Sequence, residues 1–343
     1  MKIFTLPFIF ELCAGSICLA QGQKVASATS EPAPYPRINL APQYEVVPDW
    51  PHVQAGWKQG QIPGIAVDKD DNVWVYARTN PSVQVYASDG HIVRSWGDTD
   101  KRCIPHGIYF DREGAVWLVD CGLHVVRKFT REGKLLMTLG TLGEPGEDEH
   151  HFDKPTGVTV TPSGEIFVSD GYGNNRIVHF DAQGCYVKAW GRLGVEPGQF
   201  SIPHAIISDS KGRLYVADRN NVRVQVFSTE GTLLDIWGNI LVPWTFYMSS
   251  SDQIWVCGSS PMPWTIDPKY PMAPLGCPPK DQLFMKFSTE GKVLQVSTFL
   301  KGEDEQEKPG ELNWVHAIAF DSHDNLYLGD IIGRRVQKFV LKK

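Results

Sequence analysis

Two absences limit what this chain of 343 residues can do. It has no run of basic residues and its formal net charge is −6, which argues against a nucleic acid or an anionic membrane surface as its partner. Beyond the N-terminus it has no apolar stretch long enough to span a bilayer, so no membrane partner is expected. What the chain does have is abundant Gly and Pro, with short bursts of Val, Ile and aromatic residues, which indicates many short strands with turns between them.

The N-terminal residues predict an exported protein. Segment 1–20 has one early lysine, an apolar stretch and small residues before Ala20, as in a secretory signal peptide. Residues 21–43 are rich in Ala, Ser, Pro and Gln and are interpreted as a flexible leader. We therefore expect a secreted or periplasmic protein whose folded domain spans 44–343. Export permits disulfides, and the five cysteines beyond the signal peptide leave at least one thiol unpaired.

Most of the chain is a series of repeats, each roughly 40 residues long. Clear copies lie at 104–140, 154–191 and 202–238, and looser copies lie at 62–97, at 242–299 with a proline-rich insertion, and at 314–343, which is truncated. Each copy has four short strands separated by turns such as "REG" or "SKG", which is the pattern of one propeller blade. The repeats therefore predict an all-β, six-bladed β-propeller. The stretch "YEVVPDW" (44–50) is predicted to supply the strand that the last copy lacks and so to close the ring.

A histidine recurs at one position of alternate repeats. The residues at this position are Pro63, His106, Thr156, His204, Trp244 and His316. Alternate blades of a six-bladed ring are a third of a turn apart, so the three imidazoles can meet on the central axis. Three histidines with an open fourth position are the ligand set of a catalytic zinc ion. The alternative is three separate histidines that line the core or the channel.

The other histidines show no such register, and we interpret them as surface or loop residues. They are His52, His91, His124, His150, His151, His179 and His323.

Two arginines and a tyrosine are predicted at one mouth of the channel. The second strand of a blade runs antiparallel to the first, so the residue after it lies at the face where the first strand begins. This position holds Arg78 and Arg219 in the first and fourth blades, and Tyr172 follows it in the third. An arginine fork suits a carboxylate, and a phenol beside zinc and arginines can have a lowered pKa and act as a base. The alternatives are ion pairs of the arginines with Asp120 or Asp218, and rim packing for Tyr172.

An aspartate ends the second strand in four of the repeats, at Asp120, Asp170, Asp218 and Asp330. Because it recurs at one position, we interpret it as an acceptor of backbone N–H groups in the following turn rather than as a catalytic carboxylate.

Several phrases resemble peptidyl-α-hydroxyglycine α-amidating lyase, the enzyme family that completes peptide amidation, within the wider group of NHL-repeat propellers. They are "PGEDEHHFDKPTGVTV" (145–160), "VSDGYGNNRIVHF" (168–180), "EPGQFSIPHAI" (196–206) and "VADRNN" (216–221), and the resemblance covers 62–343. It implies a six-bladed propeller whose zinc ligands match His106, His204 and His316. It also implies a catalytic tyrosine at Tyr172 and two active-site arginines at Arg78 and Arg219.

The chain departs from that family at its structural calcium site. Ala317 stands where the family has the aspartate that ligates calcium, directly after the third histidine. The other family contacts are backbone carbonyls, which match Ile65 and Ile108. The departure argues against calcium in this chain.

The disulfide pattern differs as well. The family disulfide joins the positions of Asp153 and Gly173, so it is absent here. Strand pairing in the second blade instead predicts a Cys103–Cys121 disulfide, with Cys185 free. A Cys257–Cys277 disulfide could clip the insertion of the fifth blade.

The sequence therefore predicts an exported zinc-dependent lyase that cleaves an N-acyl- or peptidyl-α-hydroxyglycine into an amide and glyoxylate. A separate hydroxylating monooxygenase is the partner that this chemistry needs. One alternative is a propeller hydrolase acting on lactones or other esters, although such enzymes usually hold their metal with carboxylates and Asn. The other is a non-catalytic NHL binding module, which would explain the repeats but not the alternating histidines.

Overall fold

The structure of this chain is a computed structural model that describes residues 44–53, 59–259, 282–304 and 306–342. The expected signal peptide (1–20), the expected leader (21–43) and Cys277 lie outside the described residues. Within them, 24 strands form six sheets of four strands each. These same residues contain no helix that is long and apolar enough to cross a bilayer.

The six sheets follow one another along the chain as the blades of a propeller. Blade 1 contains β2 (Gln61–Val67), β3 (Val73–Arg78), β4 (Val83–Tyr86) and β5 (Ile92–Trp96), and blade 2 contains β6 (Pro105–Phe110), β7 (Val116–Asp120), β8 (Val125–Phe129) and β9 (Leu135–Leu139). Blade 3 contains β10 (Gly157–Val160), β11 (Ile166–Asp170), β12 (Arg176–Phe180) and β13 (Tyr186–Trp190), and blade 4 contains β14 (Pro203–Ser208), β15 (Leu214–Asp218), β16 (Arg223–Phe227) and β17 (Leu233–Gly238). Blade 5 contains β18 (Val242–Met248), β19 (Ile254–Ser259), β20 (Gln282–Phe287) and β21 (Val293–Phe299). The predicted six-bladed propeller is confirmed.

The ring closes in blade 6 with a strand from each end of the folded region. β22 (Val315–Phe320), β23 (Leu326–Asp330) and β24 (Arg335–Leu341) are completed by β1 (Tyr44–Val47). β1 pairs antiparallel with β24, so that Tyr44 lies opposite Leu341 and Val47 opposite Lys338. The predicted closing strand is therefore confirmed, and it covers an edge of β24 that would otherwise expose unpaired backbone groups.

Packing between neighbouring blades explains the repeating apolar runs. The second strand of blade 2, β7, is buried at every residue, because both of its faces pack against adjacent blades. Six clusters of buried side chains occur in the described residues, one at each blade–blade interface. The fourth strands lie at the rim, where Ile92 and Leu135 are about half exposed. The apolar runs thus encode the inner strands of each blade, and the weaker alternation encodes the outer strand.

The recurring aspartates hold the turns, as predicted. The Oδ1 atom of Asp120 accepts hydrogen bonds from the backbone N–H groups of Ile104, Gly122 and Leu123, each at 2.9 Å. In blade 4, Asp218 accepts one from Ser201 N at 2.7 Å and also pairs with Arg223 at 2.7 Å. These carboxylates are buried and fully engaged within their own blades.

The interpretation of His179 as a surface or loop residue is wrong. It lies within β12, is 5% exposed, and stacks on the ring of Phe167 with 4.3 Å between centroids. The phrase "RIVHF" alternates too weakly to reveal that both faces of this strand are buried.

The predicted Cys103–Cys121 disulfide does not form, and both thiols are free. The two side chains lie on opposite faces of blade 2. Cys121 Sγ donates a hydrogen bond to Pro155 O, on the side of blade 3, whereas Cys103 Sγ lies 4.0 Å from the hydroxyl of Tyr76 in blade 1. Strand pairing does bring the two backbones close, but the pleat of a sheet directs neighbouring side chains to opposite faces.

Candidate metal centre and active site

Each histidine of the alternating set sits at an irregularity where its strand begins. The pairing of the first strand with the second shifts between Pro105 and Gly107, between Pro203 and Ile206, and between Val315 and Ala317. A bulge frees one residue from the regular ladder and re-aims its side chain. His106, His204 and His316 occupy these positions and line the axial cavity together.

Backbone carbonyls of the neighbouring blades fix the three rings. The Nδ1 atoms of His106, His204 and His316 lie 2.6, 2.6 and 2.9 Å from the carbonyl oxygens of Thr156, Trp244 and Pro63. These acceptors are the residues at the same repeat position in the next blade, so the pattern runs around the whole ring. A carbonyl can only accept, so each Nδ1 carries the proton and each Nε2 presents a lone pair.

The three rings form a compact cluster on the axis. Their centroids are 4.8 to 4.9 Å apart, and their ligand nitrogens lie within 4.8 Å of one another. All three residues are at most 5% exposed. Burial, together with the nearby Arg78 and Arg219, lowers the pKa of His316 to about 3. Burial and the neighbouring histidines hold the pKa values of His106 and His204 well below their ordinary value.

These residues fit a metal ion. Neutral imidazoles are the form that ligates metals, and a carbonyl bonded to the far nitrogen is the usual support for a ligating histidine. The hydroxyl of Tyr172 lies 3.1 Å from His106 Nε2 and 2.9 Å from His204 Nε2. Because a hydroxyl has one proton, it can donate to only one of these lone pairs. Three Nε2 lone pairs therefore converge, and the single O–H of Tyr172 cannot satisfy them all. A metal cation could be bound by all three.

Tyr172 is thus brought to the histidine cluster, as the sequence predicts. Burial raises the pKa of Tyr172 above its ordinary value, and the charges of Arg219 and Arg78 oppose that effect without overcoming it. Without a metal ion, the loss of water costs the phenolate more than two nearby guanidinium groups return. The expected lowering concerns the zinc-bound site and stays a prediction.

Arg78 and Arg219 lie on different sides of the mouth, and neither pairs with a carboxylate in the described part of the chain. Arg78 is held by Nη1 donating to Gln61 Oε1 at 2.9 Å and Nε donating to Pro105 O at 3.1 Å. Arg219 donates from Nε to Asn220 at 3.2 Å. The expected alternative, ion pairs with Asp120 or Asp218, does not occur, since those carboxylates bind other groups.

Arg219 is also sandwiched between two aromatic rings. Its guanidinium carbon lies 6.0 Å from the ring centroid of Tyr172 and 5.9 Å from that of Trp244. Burial lowers its pKa, and the neighbouring Tyr172 acts in the opposite direction. The cation–π contacts stabilise a charge that has little water around it.

Sequence reasoning missed two groups that complete this mouth. Gln61 anchors Arg78, and Trp244 supports Arg219. Trp244 stands at the repeat position of the histidines, so its register pointed to the axis, but a single aromatic residue carries no ligand chemistry of its own.

The cavity beneath the histidines does not fit a calcium ion. Ile65, Ile108 and Ala317 line it, and none of its lining residues within the described chain is an aspartate or glutamate. Calcium needs several oxygen ligands, usually with carboxylates among them, and a buried divalent charge without a counter-charge is costly.

We therefore expect calcium to leave the thermal stability of the zinc-loaded protein unchanged. Ala317→Asp should create a dependence, with Tm rising when calcium is added, because a ligand at 100 times its Kd stabilises the folded state by about 2.7 kcal/mol. Thermal unfolding with EGTA and with millimolar calcium, in the presence of zinc, measures both proteins. A wild-type Tm that rises with calcium would contradict this reading of the cavity.

Comparison with known proteins agrees with the fold and with the resemblance. The sequence model described as "NHL repeat" matches residues 152–180 and 200–227. A rat protein named peptidylglycine alpha-amidating monooxygenase is 36% identical over 215 residues, which cover 53% of this chain and 22% of the relative. A Caenorhabditis elegans protein named probable peptidyl-alpha-hydroxyglycine alpha-amidating lyase is 33% identical over 196 residues, covering 49% of this chain and 56% of the relative. The chain thus contains NHL repeats and is similar to proteins named as amidating enzymes over about half of its own length, while it spans less than two thirds of theirs.

Not every relative carries an enzyme's name. Human NHL repeat-containing protein 3 is 36% identical over 171 residues, which cover 46% of this chain and 49% of the relative. Among solved structures, a streptogramin B lyase superposes with a TM-score of 0.57 over 84% of this chain and 96% of its own, at 15% identity. That likeness concerns the propeller fold alone.

Proposed function

We propose that this protein is an exported, zinc-dependent carbon–nitrogen lyase that cleaves an N-acyl- or peptidyl-α-hydroxyglycine into an amide and glyoxylate. The observation that carries the proposal is the buried cluster of His106, His204 and His316 with the hydroxyl of Tyr172 against two of its Nε2 atoms. The lyase name of the nematode relative supports the reaction class.

The reaction needs a base for the α-hydroxyl and a donor for the departing nitrogen. A zinc ion bound by the three Nε2 atoms would polarise the substrate hydroxyl oxygen and lower its pKa. Tyr172 is the base in its phenolate form, which a bound zinc ion together with the charges of Arg219 and Arg78 would favour. Its oxygen lies at the face of the cluster that a substrate oxygen has to approach. As the O–H bond breaks, the C=O bond of glyoxylate forms and the C–N bond breaks, and its electron pair goes to the amide nitrogen. Tyr172 returns the proton to that nitrogen, so one amide and one glyoxylate leave with no other reactant consumed.

The arginines bind and orient the carboxylate of the substrate. Arg78 has two of its nitrogens committed to Gln61 and Pro105, which fixes the plane of its guanidinium. Arg219 is held by its flanking rings rather than by a carboxylate. A guanidinium fork matches a carboxylate in shape and charge. The α-hydroxyglycine itself has to come from a reaction that hydroxylates a glycine α-carbon, and we propose a separate monooxygenase for that step.

Product analysis tests the proposed function. The zinc-loaded protein should release amide and glyoxylate in equal amounts from an N-acyl-α-hydroxyglycine and should leave lactones and simple esters intact. Turnover of the esters alone would favour a hydrolase. Failure to turn over either class, with zinc bound, would favour a binding module.

Arg78→Ala and Arg219→Ala should raise KM more than they lower kcat. A charged hydrogen bond contributes about 1.5–3 kcal/mol, so each loss should raise KM by roughly 10- to 100-fold. Steady-state kinetics of glyoxylate release measures the split. Arg94→Ala is the matched control, because Arg94 lies on the rim strand β5 and donates to Arg131 O. An unchanged KM in both active-site variants would remove the arginines from carboxylate binding.

A further inference from the structure

The mouth of the histidine cluster is polar on one side and aromatic on the other. Arg78, Tyr172 and Arg219 come from blades 1, 3 and 4, whereas Trp244 and Trp314 come from blades 5 and 6. The two indoles meet edge to face, with 4.8 Å between their centroids and 78° between their planes. The ring of Trp244 also lies 6.0 Å from that of His316 and 6.3 Å from that of His204. The aromatic pair therefore borders the same cluster that Tyr172 touches.

Trp244 forms the buried floor of this aromatic side. It is 4% exposed, and its Nε1 atom is buried with no hydrogen-bond partner among the residues that the structure describes. A buried indole N–H normally finds an acceptor.

Trp314 forms the accessible wall. It is only partly buried, and its backbone adopts a φ of +74°, which is rare for a residue with a bulky side chain. The carbonyl of Trp314 accepts a hydrogen bond from Ile331 N at 3.0 Å, which holds the backbone there. Lys154 and Ile202, two residues before the same repeat position in blades 3 and 4, have the same left-handed conformation, so it belongs to the repeat. In this case it places an indole beside Trp244, two residues before His316.

We infer that Trp244 and Trp314 form an apolar subsite for the acyl group on the substrate nitrogen, so that this chain prefers α-hydroxyglycines with an apolar, aromatic acyl group. The inference rests on the proposed function. With the carboxylate at the arginines and the hydroxyl at the histidine cluster, the acyl group is the remaining part of the substrate, and the aromatic side is the remaining part of the mouth. The acyl group can belong to a simple N-acylglycine or to a peptide with an aromatic residue before the hydroxyglycine.

Glyoxylate release from a matched panel tests the inference. The panel contains N-acetyl- and N-phenylacetyl-α-hydroxyglycine, together with peptides that end in Phe or Asp before the hydroxyglycine. An apolar contact in a pocket is worth about 10- to 200-fold in discrimination, so the aromatic member of each pair should have a kcat/KM at least tenfold higher. Preference within the small-molecule pair, the peptide pair or both identifies the source of the acyl group.

Trp314→Leu should reduce the ratio of kcat/KM values within each pair towards one, mainly through a higher KM for the aromatic member. Trp96→Leu is the control, because Trp96 is on the rim strand β5 and packs on Phe129. Equal kcat/KM values within both pairs, or an unchanged preference in Trp314→Leu, would overturn the inference while leaving the proposed function intact.

If no substrate released glyoxylate, that result would count against the proposed function. The apolar subsite would then be tested on its own, by measuring the affinity of unreactive ligands. Unreactive N-phenylacetylglycine should quench tryptophan fluorescence of the zinc-loaded protein at a concentration about tenfold lower than N-acetylglycine does, and Trp314→Leu should remove the difference. Equal affinities of the wild type for the two ligands would reject the apolar subsite.

Discussion

Replacing His106, His204 or His316 by alanine should weaken zinc binding by more than about 100-fold and abolish glyoxylate release. Loss of an outer-shell partner alone typically costs ~10–100-fold in metal affinity, and each of these variants loses a direct ligand. The three sites should respond alike, because each ring is buried and each Nδ1 is held by the neighbouring blade. Zinc content after dialysis against buffered zinc, measured by atomic emission, gives the affinity.

His91→Ala is the control for this series, since the side chain of His91 is 71% exposed and contacts Asp89 and His52, which are not part of the histidine cluster. It should retain zinc and activity. Thermal unfolding of the metal-free proteins separates loss of a ligand from loss of the fold. The assignment would be wrong if any of the three alanine variants, folded as the wild type is, bound zinc with wild-type affinity.

Tyr172→Phe should lower kcat by about 10²–10⁴-fold with little change in KM or in zinc content. Proton transfer by a positioned group typically contributes that factor, and the substitution keeps the ring that packs against Arg219 while removing the hydroxyl. Stopped-flow or steady-state measurement of glyoxylate release provides kcat.

Tyr109→Phe is the matched control. Its hydroxyl donates to Val160 O at 3.1 Å, towards the end of the first strand of blade 2 that lies away from His106. This variant should keep its kcat. Near-normal kcat in Tyr172→Phe, with zinc bound, would assign the proton transfer to another group.

Much of the fold was readable from the sequence because the repeats are internally consistent. The turn phrases "REG" and "SKG" end in Gly114, Gly133 and Gly212, whose φ values of +81°, +86° and +83° are those that glycine adopts at no cost. The truncated last copy, together with "YEVVPDW", also predicted the closing pair of β1 and β24. The turn residues of each repeat and the closure of the ring are consistent with the same six-bladed fold, which makes that fold easier to predict.

The convergence of the histidines was also predictable, because a repeat position in a closed ring defines a place in space. Their orientation was not. It depends on the bulges at the starts of β6, β14 and β22 and on carbonyls of Thr156 and Trp244 in the next blade. The positions of β-bulges and of backbone carbonyl acceptors cannot be predicted from the identities of the residues that form them.

The errors have a common physical origin, which is the direction of a side chain relative to its sheet. Strand pairing brings the backbones of Cys103 and Cys121 close together, but their side chains face different blades. His179 belongs to a strand whose two faces are both covered.

Adding zinc back to the metal-free protein tests whether the three histidines bind the zinc ion on which glyoxylate release depends. Metal-free protein is titrated with zinc while glyoxylate release from an N-acyl-α-hydroxyglycine is followed. We expect no glyoxylate release before zinc is added. The rate of release should then rise linearly to a plateau at one zinc ion per chain, and it should not rise in His204→Ala. Full activity of the metal-free chain, or zinc binding at the three histidines without any glyoxylate release, would contradict this expectation.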